Sequence, residues 1–243
     1  MVVLEDSELE EYVLGEKTDI IVPVDIFVPE GGGEPVMTSY SCCADFVRTF
    51  DALYGDDPLS KEAYAFLDAK MSPFVRQLGY YADKKAHSPV IEYRFTKNDA
   101  SLDSLILDGT RLFSSADETD GLDILTLHGI DVDPDDEDDA AAGFVRDGKI
   151  VACASINDFF EDGAPEINVE CAKEYRRRGY GTSCTAMLVS HLTSRGYDVL
   201  YKCRESNKAS AAIAEKVGFH KCGRRLSYVC YLKQSERNDV FGI

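Results

Sequence analysis

Arg176, Gly179 and Gly181 stand in the stretch EYRRRGYGTSCTAML at the spacing R-x-x-G-x-G. Directly after them Cys184, Met187, Leu188 and Leu192 recur at intervals of three and four, which is a helix period. Just upstream, INVECA (Ile167 to Ala172) alternates apolar and polar residues, as a half-buried strand does. The order is strand, glycine-rich turn, helix. Glycine has no Cβ, so backbone N–H groups there can approach a ligand closely. The first N–H groups of a helix lack internal partners, and the macrodipole adds partial positive charge. Such a turn seats phosphate groups, here a pyrophosphate. Two other glycine motifs are excluded. A nucleotide P-loop needs four residues between its glycines and then Lys and Ser/Thr, which RRRGYGTS does not supply. A dinucleotide fingerprint needs a third glycine where Cys184 stands.

The elements that must hold this turn follow from the flanking pattern. GFVRDGKIVACASIND (Gly143 to Asp158) reads as a hairpin, with Asp147-Gly148 supplying a tight turn. Glu166 to Ala172 returns as a third strand. The helix over 182–194 ends at Gly196, and Asp198 to Cys203 forms a further strand. Asn207 to Val217 forms a helix stopped by Gly218, and Phe219 to Lys233 is strand-rich. Earlier, DIIVPVDIFVP reads as an edge strand, because Pro23 and Pro29 cannot donate to a ladder. Helices are predicted over 41–54, 60–67 and 71–81 and over 102–107. Val90 to Asp99 reads as a strand running into a helix cap, and residues 108–133 as a loop with one short helix. An acidic, helical segment is expected near the N-terminus. The domain division expected is 1–88, a mostly helical accessory region, and 89–243.

Composition bounds the function. The chain has 243 residues, 44% hydrophobic, with a net charge of −18. Residues 165–243 carry 14 Lys+Arg against 8 Asp+Glu, leaving 12 basic and 36 acidic residues upstream. An anionic ligand favours the basic third and a cationic partner the acidic remainder. So acidic a chain disfavours duplex nucleic acid. The cluster Asp131 to Asp139 reads as a solvated helix start or a rim that recruits an amine; it lacks the spacing of a calcium loop. The eight cysteines are scattered without a C-x-x-C pair, so reduced thiols and a cytoplasmic location are expected. Cys42-Cys43 is the one candidate redox pair. No apolar run is long enough to span a membrane, and no signal peptide is expected. His87, His128, His191 and His220 lack metal-ligand spacing, and no metal is expected.

The glycine turn resembles the acetyl-CoA signature Q/R-x-x-G-x-G/A of the GCN5-related N-acetyltransferase (GNAT) family. ESNKASAAIAEKVGF resembles that family's second hallmark, through Asn207, Ser210 and Gly218-Phe219. The likeness covers about 90–233. It implies an α/β (α+β) acyl-CoA N-acyltransferase fold, a mixed and mostly antiparallel sheet flanked by helices, here with the N-terminal extension. Val90 to Asp99, with Thr96 and Asp99, looks like its opening strand. It implies acetyl-CoA as co-substrate and direct attack by an amine, so no cysteine nucleophile. Pyrophosphate is then expected on backbone N–H groups of Arg178, Gly179, Tyr180, Gly181 and Thr182, with charge from Arg176 and Arg178. The strand ending at Cys171 is expected to bulge and splay from the next strand, and a backbone N–H from Val169 to Cys171 to polarise the thioester carbonyl. Asn207 resembles the pantetheine-binding asparagine and Ser210 a hydroxyl near the coenzyme; both also suit helix capping.

The chemistry needs a base for the ammonium acceptor. Glu170 and Glu166, on one strand face, are the candidates, with Asp158 and Glu161 behind them. A departure from the family pattern concerns the acid. Ala214 stands where many members carry a tyrosine that protonates the leaving thiolate. Water, Ser210, Tyr180 and Tyr201 remain as alternatives. The acceptor is a small-molecule or peptide amine. Neither nucleic acid nor membrane is expected as partner, and a homodimer is left open. The alternative reading is a non-catalytic acyl-CoA-binding regulatory module; a redox switch at Cys42-Cys43 is a third.

Overall fold

A computed structural model describes residues 1–6, 20–82, 88–96, 102–113, 123–124, 140–159 and 163–232. Contacts divide the chain into two units, Met1–Val90 with Gly223–Ile243, and Ile91–Cys222. Each has its own apolar cluster. Asp99, Glu161, His87, His128, the acidic run 131–139 and the expected N-terminal helical segment beyond residue 6 lie outside the described residues, as does the side chain of Asp158.

The first unit opens with β1 (Val2–Asp6), β2 (Ile20–Ile21), β3 (Val24–Pro29) and β4 (Val36–Tyr40). β3 and β4 form an antiparallel pair, and β1 lies parallel to β4. The proline-bearing run was expected at an edge. Its first part, β2, does stand at the edge of a small second sheet, whereas β3 is interior; Pro23 precedes β3 and Pro29 is its last residue, so no central ladder bond is lost. A 3-10 turn at Ser41–Cys43 leads into α1 (Ala44–Tyr54). The two short helices predicted next are one, α2 (Lys61–Gln77), capped by Ser60, whose hydroxyl accepts from Ala63 N–H at 3.2 Å. Ala63, Leu67, Met71 and Val75 form one buried stripe through it, while Pro73 is exposed. The single helix bond that proline forfeits weighs less than the buried stripe. With β5 (Tyr80–Ala82), the region expected to be mostly helical holds five strands beside its two helices among the described residues.

The second unit contains β6 (Val90–Phe95), β7 (Thr110–Phe113), β8 (Asp123–Ile124), β9 (Ala141–Arg146), β10 (Lys149–Phe159), β11 (Pro165–Cys171), α3 (Tyr180–Ser194), β12 (Val199–Arg204) and α4 (Lys208–Val217). Its strands run in the order β6-β12-β11-β10-β9-β7, with β8 on β10. The predicted hairpin is β9–β10, and Asp147 (φ 52°) with Gly148 (φ 71°) makes its turn. Where the resemblance makes Val90 to Asp99, here β6, the opening strand, the place beside β9 is taken by β7. A Cβ at Gly143 would lie 2.7 Å from the Phe113 ring, so that glycine makes room for β7's aromatic. The helix predicted over 102–107 is only a 3-10 turn at Asp103–Leu105, followed by hydrogen bonds to α3: Leu107 N–H donates to Ser183 Oγ at 2.8 Å, and Thr110 Oγ1 lies 2.6 Å from it. The irregularity expected in β11 falls on β10, where the register advances from Ile156 to Asp158 against one step on β11.

The unit boundary at residue 222 falls within β13 (His220–Ser227). From Gly223 onward that strand pairs antiparallel with β3, and β14 (Cys230–Leu232) lies between β2 and β5 in a small second sheet. Residues 223–232 therefore belong with the N-terminal residues, whereas the division at 88/89 places them with the rest of 89–243. The reason is pairing: β3 and β14's neighbours supply partners far away in sequence. Among the described residues no helix is long and apolar enough to cross a membrane.

Candidate active site

The turn after β11 is built to leave backbone donors open. Gly179 is the N-cap of α3 with φ 86°, a left-handed conformation that glycine adopts without strain, and it has no side-chain cap. The first helical bond runs from Ser183 N–H to Gly179 O at 2.9 Å. The N–H groups of Tyr180, Gly181 and Thr182 precede it, so they have no bond within the helix. Arg177 is also left-handed, at φ 62°. Ten of α3's residues, from Tyr180 to Leu192, are buried, and Ser183 and Thr185 satisfy their hydroxyls internally, Thr185 on Gly181 O at 2.9 Å. Burial fixes the helix, and the helix fixes the donors.

A cavity of about 830 Å³ opens between this turn, the end of β11 and the start of α4. Its existence rests on strand divergence. β11 and β12 are parallel partners at Glu166↔Leu200 and Ile167↔Tyr201, and their register stops there. On β11's other side, Ala172 N–H donates to Val151 O at 2.9 Å. Strand alternation then turns the Glu170 N–H to β10 and those of Val169 and Cys171 to the free edge. Val169 N–H meets Asn168 Oδ1 at 2.8 Å. Cys171 C=O accepts from Arg176 Nε at 3.0 Å, which fastens the arginine beside the strand end. A Cβ on Gly181 would lie 3.4 Å from both Val169 Cγ2 and Ile213 Cδ1. The glycine thus keeps the gap between β11 and α4 clear, as a slender chain entering there requires.

The predicted site residues divide. Val169, Glu170, Cys171, Arg176, Gly179 and Tyr180 line the cavity, as do Gly181, Thr182, Asn207 and Ser210. Arg178 does not: its Nη2 donates to Glu174 O at 3.2 Å, and the guanidinium lies over the Tyr175 ring. Glu166 does not line it either, being ion-paired to Lys202 Nζ at 2.9 Å on the paired part of β11. Asn207 caps α4, its Oδ1 accepting from Ser210 N–H at 3.2 Å. Ser210 Oγ lies 2.6 Å from Tyr201 Oη. Tyr180 stacks on Phe144 at 3.9 Å, and its hydroxyl accepts from Arg146 Nη1 at 2.8 Å. Ala214 is fully buried.

Burial raises the Cys171 thiol above its ordinary range, with Arg176 and Arg178 opposing; it packs the wall as a neutral thiol. Cys42 and Cys43 sit with their sulfurs 4.0 Å apart as free thiols, and burial with the Cys42 neighbour pushes Cys43 to about 12. His191 is half-buried and lowered by that burial, and His220 is exposed. Among the described residues no group of three or more His, Cys, Asp or Glu has the arrangement to hold a metal. Seven lining residues escaped the sequence reading, among them Lys173, Tyr175, Arg177 and Ile213. Ile213 was findable, since it follows Ser210 by three on one helical face.

Residues 139–231 match the family model described as GNAT acetyltransferase. Among solved structures, a GNAT-family protein from Novosphingobium aromaticivorans is 18% identical, with 64% of this chain and 69% of that one covered at a TM-score of 0.48. A GCN5-related N-acetyltransferase-like protein from Streptococcus suis is 14% identical, covering 92% and 76% at 0.46. A GCN5-related N-acetyltransferase from Kribbella flavida is 17% identical, covering 70% and 66% at 0.44. Among curated proteins no relative matches the chain.

Proposed function

We propose that the chain, whose residues 139–231 match the GNAT acetyltransferase family model, is an acyltransferase that moves an acetyl group from acetyl-CoA to a primary amine by direct attack. The observation that carries this reading is the cavity in which the α3 donors, the free edge of β11 and the face of α4 meet. Tyr180, Gly181 and Thr182 N–H groups would hold the pyrophosphate, with Arg176 adding charge. The β11 edge would take the pantetheine amides, and the Cys171 N–H would stabilise the oxygen that gains charge. Val169 N–H would serve only after releasing Asn168 Oδ1.

Glu170 is the base this reading favours, as the strand-face carboxylate that borders the cavity, while Glu166 is engaged by Lys202. Asn207 and Ser210 would face the pantetheine arm. The acceptor is a small-molecule or peptide amine, with no metal in the reaction, and the eight free thiols suit a cytoplasmic setting. The test is coenzyme A release from acetyl-CoA with a panel of small amines and peptides. Turnover is expected for wild type, and Glu170→Gln should lower kcat about 100-fold with little change in coenzyme Kd. Tight acetyl-CoA binding without release from any amine would overturn the catalytic reading and favour a binding module.

A further inference from the structure

Ser210 has two sides. One borders the cavity; the other meets Tyr201, whose hydroxyl oxygen lies 2.6 Å from Ser210 Oγ. Tyr201 is 1% exposed and stands behind the cavity wall on β12. One hydroxyl must donate to the other, and the choice follows from chemistry. A buried hydroxyl needs a place for its proton, and Ser210 is the partner the structure gives Tyr201. Ser210 can instead rotate its own proton toward the cavity. A phenol is also the stronger donor of the two.

The competing acceptor is Cys203, two residues along β12 on the same strand face. Burial raises its thiol, and the Ser210 hydroxyl opposes that rise. A neutral thiol is a weak acceptor, so it does not hold the serine proton against an anion. One turn further along α4, Ala214 offers no hydroxyl at all.

Resting on the acyl-transfer reading, we propose that Tyr201 is a positioning residue: it donates to Ser210 Oγ and thereby aims the Ser210 O–H at the sulfur that departs. The step balances without either hydroxyl losing its proton. The amine nitrogen bonds to the carbonyl carbon, and its surplus proton goes to the base. The carbon–sulfur bond breaks with its electron pair on sulfur, and the thiolate accepts from Ser210 until solvent protonates it. Burial pushes Tyr201 up to about 12, so it keeps its proton and serves as a fixed donor.

The full-length chain is tested as wild type, Tyr201→Phe, Ser210→Ala and the double variant. Calorimetry measures Kd for coenzyme A and for desulfo-coenzyme A, and kinetics measures kcat and KM. Ser210→Ala is expected to lower kcat about tenfold and Tyr201→Phe about fivefold, each with KM for the donor changed less than about twofold. The double variant should fall no further than Ser210→Ala, because Tyr201 acts only through the serine. Tyr201→Phe should bind desulfo-coenzyme A as wild type does and lose about threefold for coenzyme A. Multiplying losses of about fiftyfold in the double variant, or equal weakening toward both ligands, would mean a merely structural hydroxyl and overturn the proposal. Wild type that binds neither ligand sinks the acyl-CoA reading and this inference together. Normal binding and turnover with an unaltered Tyr201→Phe sinks this inference alone.

Discussion

Arg176 and Arg178 are two residues apart and meet different fates. The first is fastened to the Cys171 carbonyl and borders the cavity; the second is spent on Glu174 O and the Tyr175 ring. R-x-R spacing cannot separate them, because the direction of each side chain depends on how the turn folds. Arg176→Ala is therefore expected to weaken coenzyme A binding about tenfold, and Arg178→Ala by about twofold or less, in calorimetry at low salt. Equal losses would mean that both guanidinium groups reach the phosphates. The glutamates separate on similar grounds. Glu166 and Glu170 share a strand face, but Glu166 lies where β12 is still a partner and Lys202 is at hand. Glu170 lies past the divergence.

At the scale of elements, α3 is the organising piece. Its buried face packs it into the second unit's core, so its N-terminus is held still where the ligand donors are needed. Gly181 is the point at which helix, β11 and α4 come close. A Cβ there makes a 3.4 Å contact on two sides, which a small adjustment of Ile213 absorbs. Gly181→Ala should therefore fold with a Tm within about 3 °C of wild type. Its coenzyme A affinity should fall about tenfold, since the methyl enters the slot. Gly181→Asp should abolish detectable binding, because its carboxylate opposes the diphosphate. Melting curves and titrations of the two variants check this, and an undiminished affinity of Gly181→Asp would refute the pyrophosphate seat.

Across the whole molecule, buried thiols in both units set an alkaline limit. Burial pushes Cys43 and Cys230 in the first unit and Cys153 in the second to about 12, against 9.0 for an exposed thiol. Below pH 9 these groups are protonated in folded and unfolded chains alike, and their burial is fully favourable. Between about 9 and about 12 the unfolded chain ionises while the folded chain holds its protons, so stability falls as pH rises. Thermal melts should show Tm dropping through that window, and Cys153→Ala should lessen the slope. A Tm independent of pH from 8.5 to about 11 would contradict this account.

Local spacing determined what local backbone rules decide. The strand–turn–helix order, the Asp147-Gly148 hairpin, the Asn207 cap and the glycine stops are each legible within a dozen residues, because alternation, helical period and positive φ are short-range properties. The family resemblance carried by these motifs supplied the fold class and the cluster of cavity residues around the glycine turn. Only the tertiary structure decided which strands neighbour which. Thr110–Phe113 carries no pattern that announces a place beside β9, and Gly223 onward pairs with a strand nearly 200 residues earlier in the chain. Side-chain destinations belong to the same class. Tyr201 behind Ser210, Lys202 on Glu166 and Arg178 on its own turn depend on distances that exist only after β12 has been laid against β11 and then allowed to diverge from it.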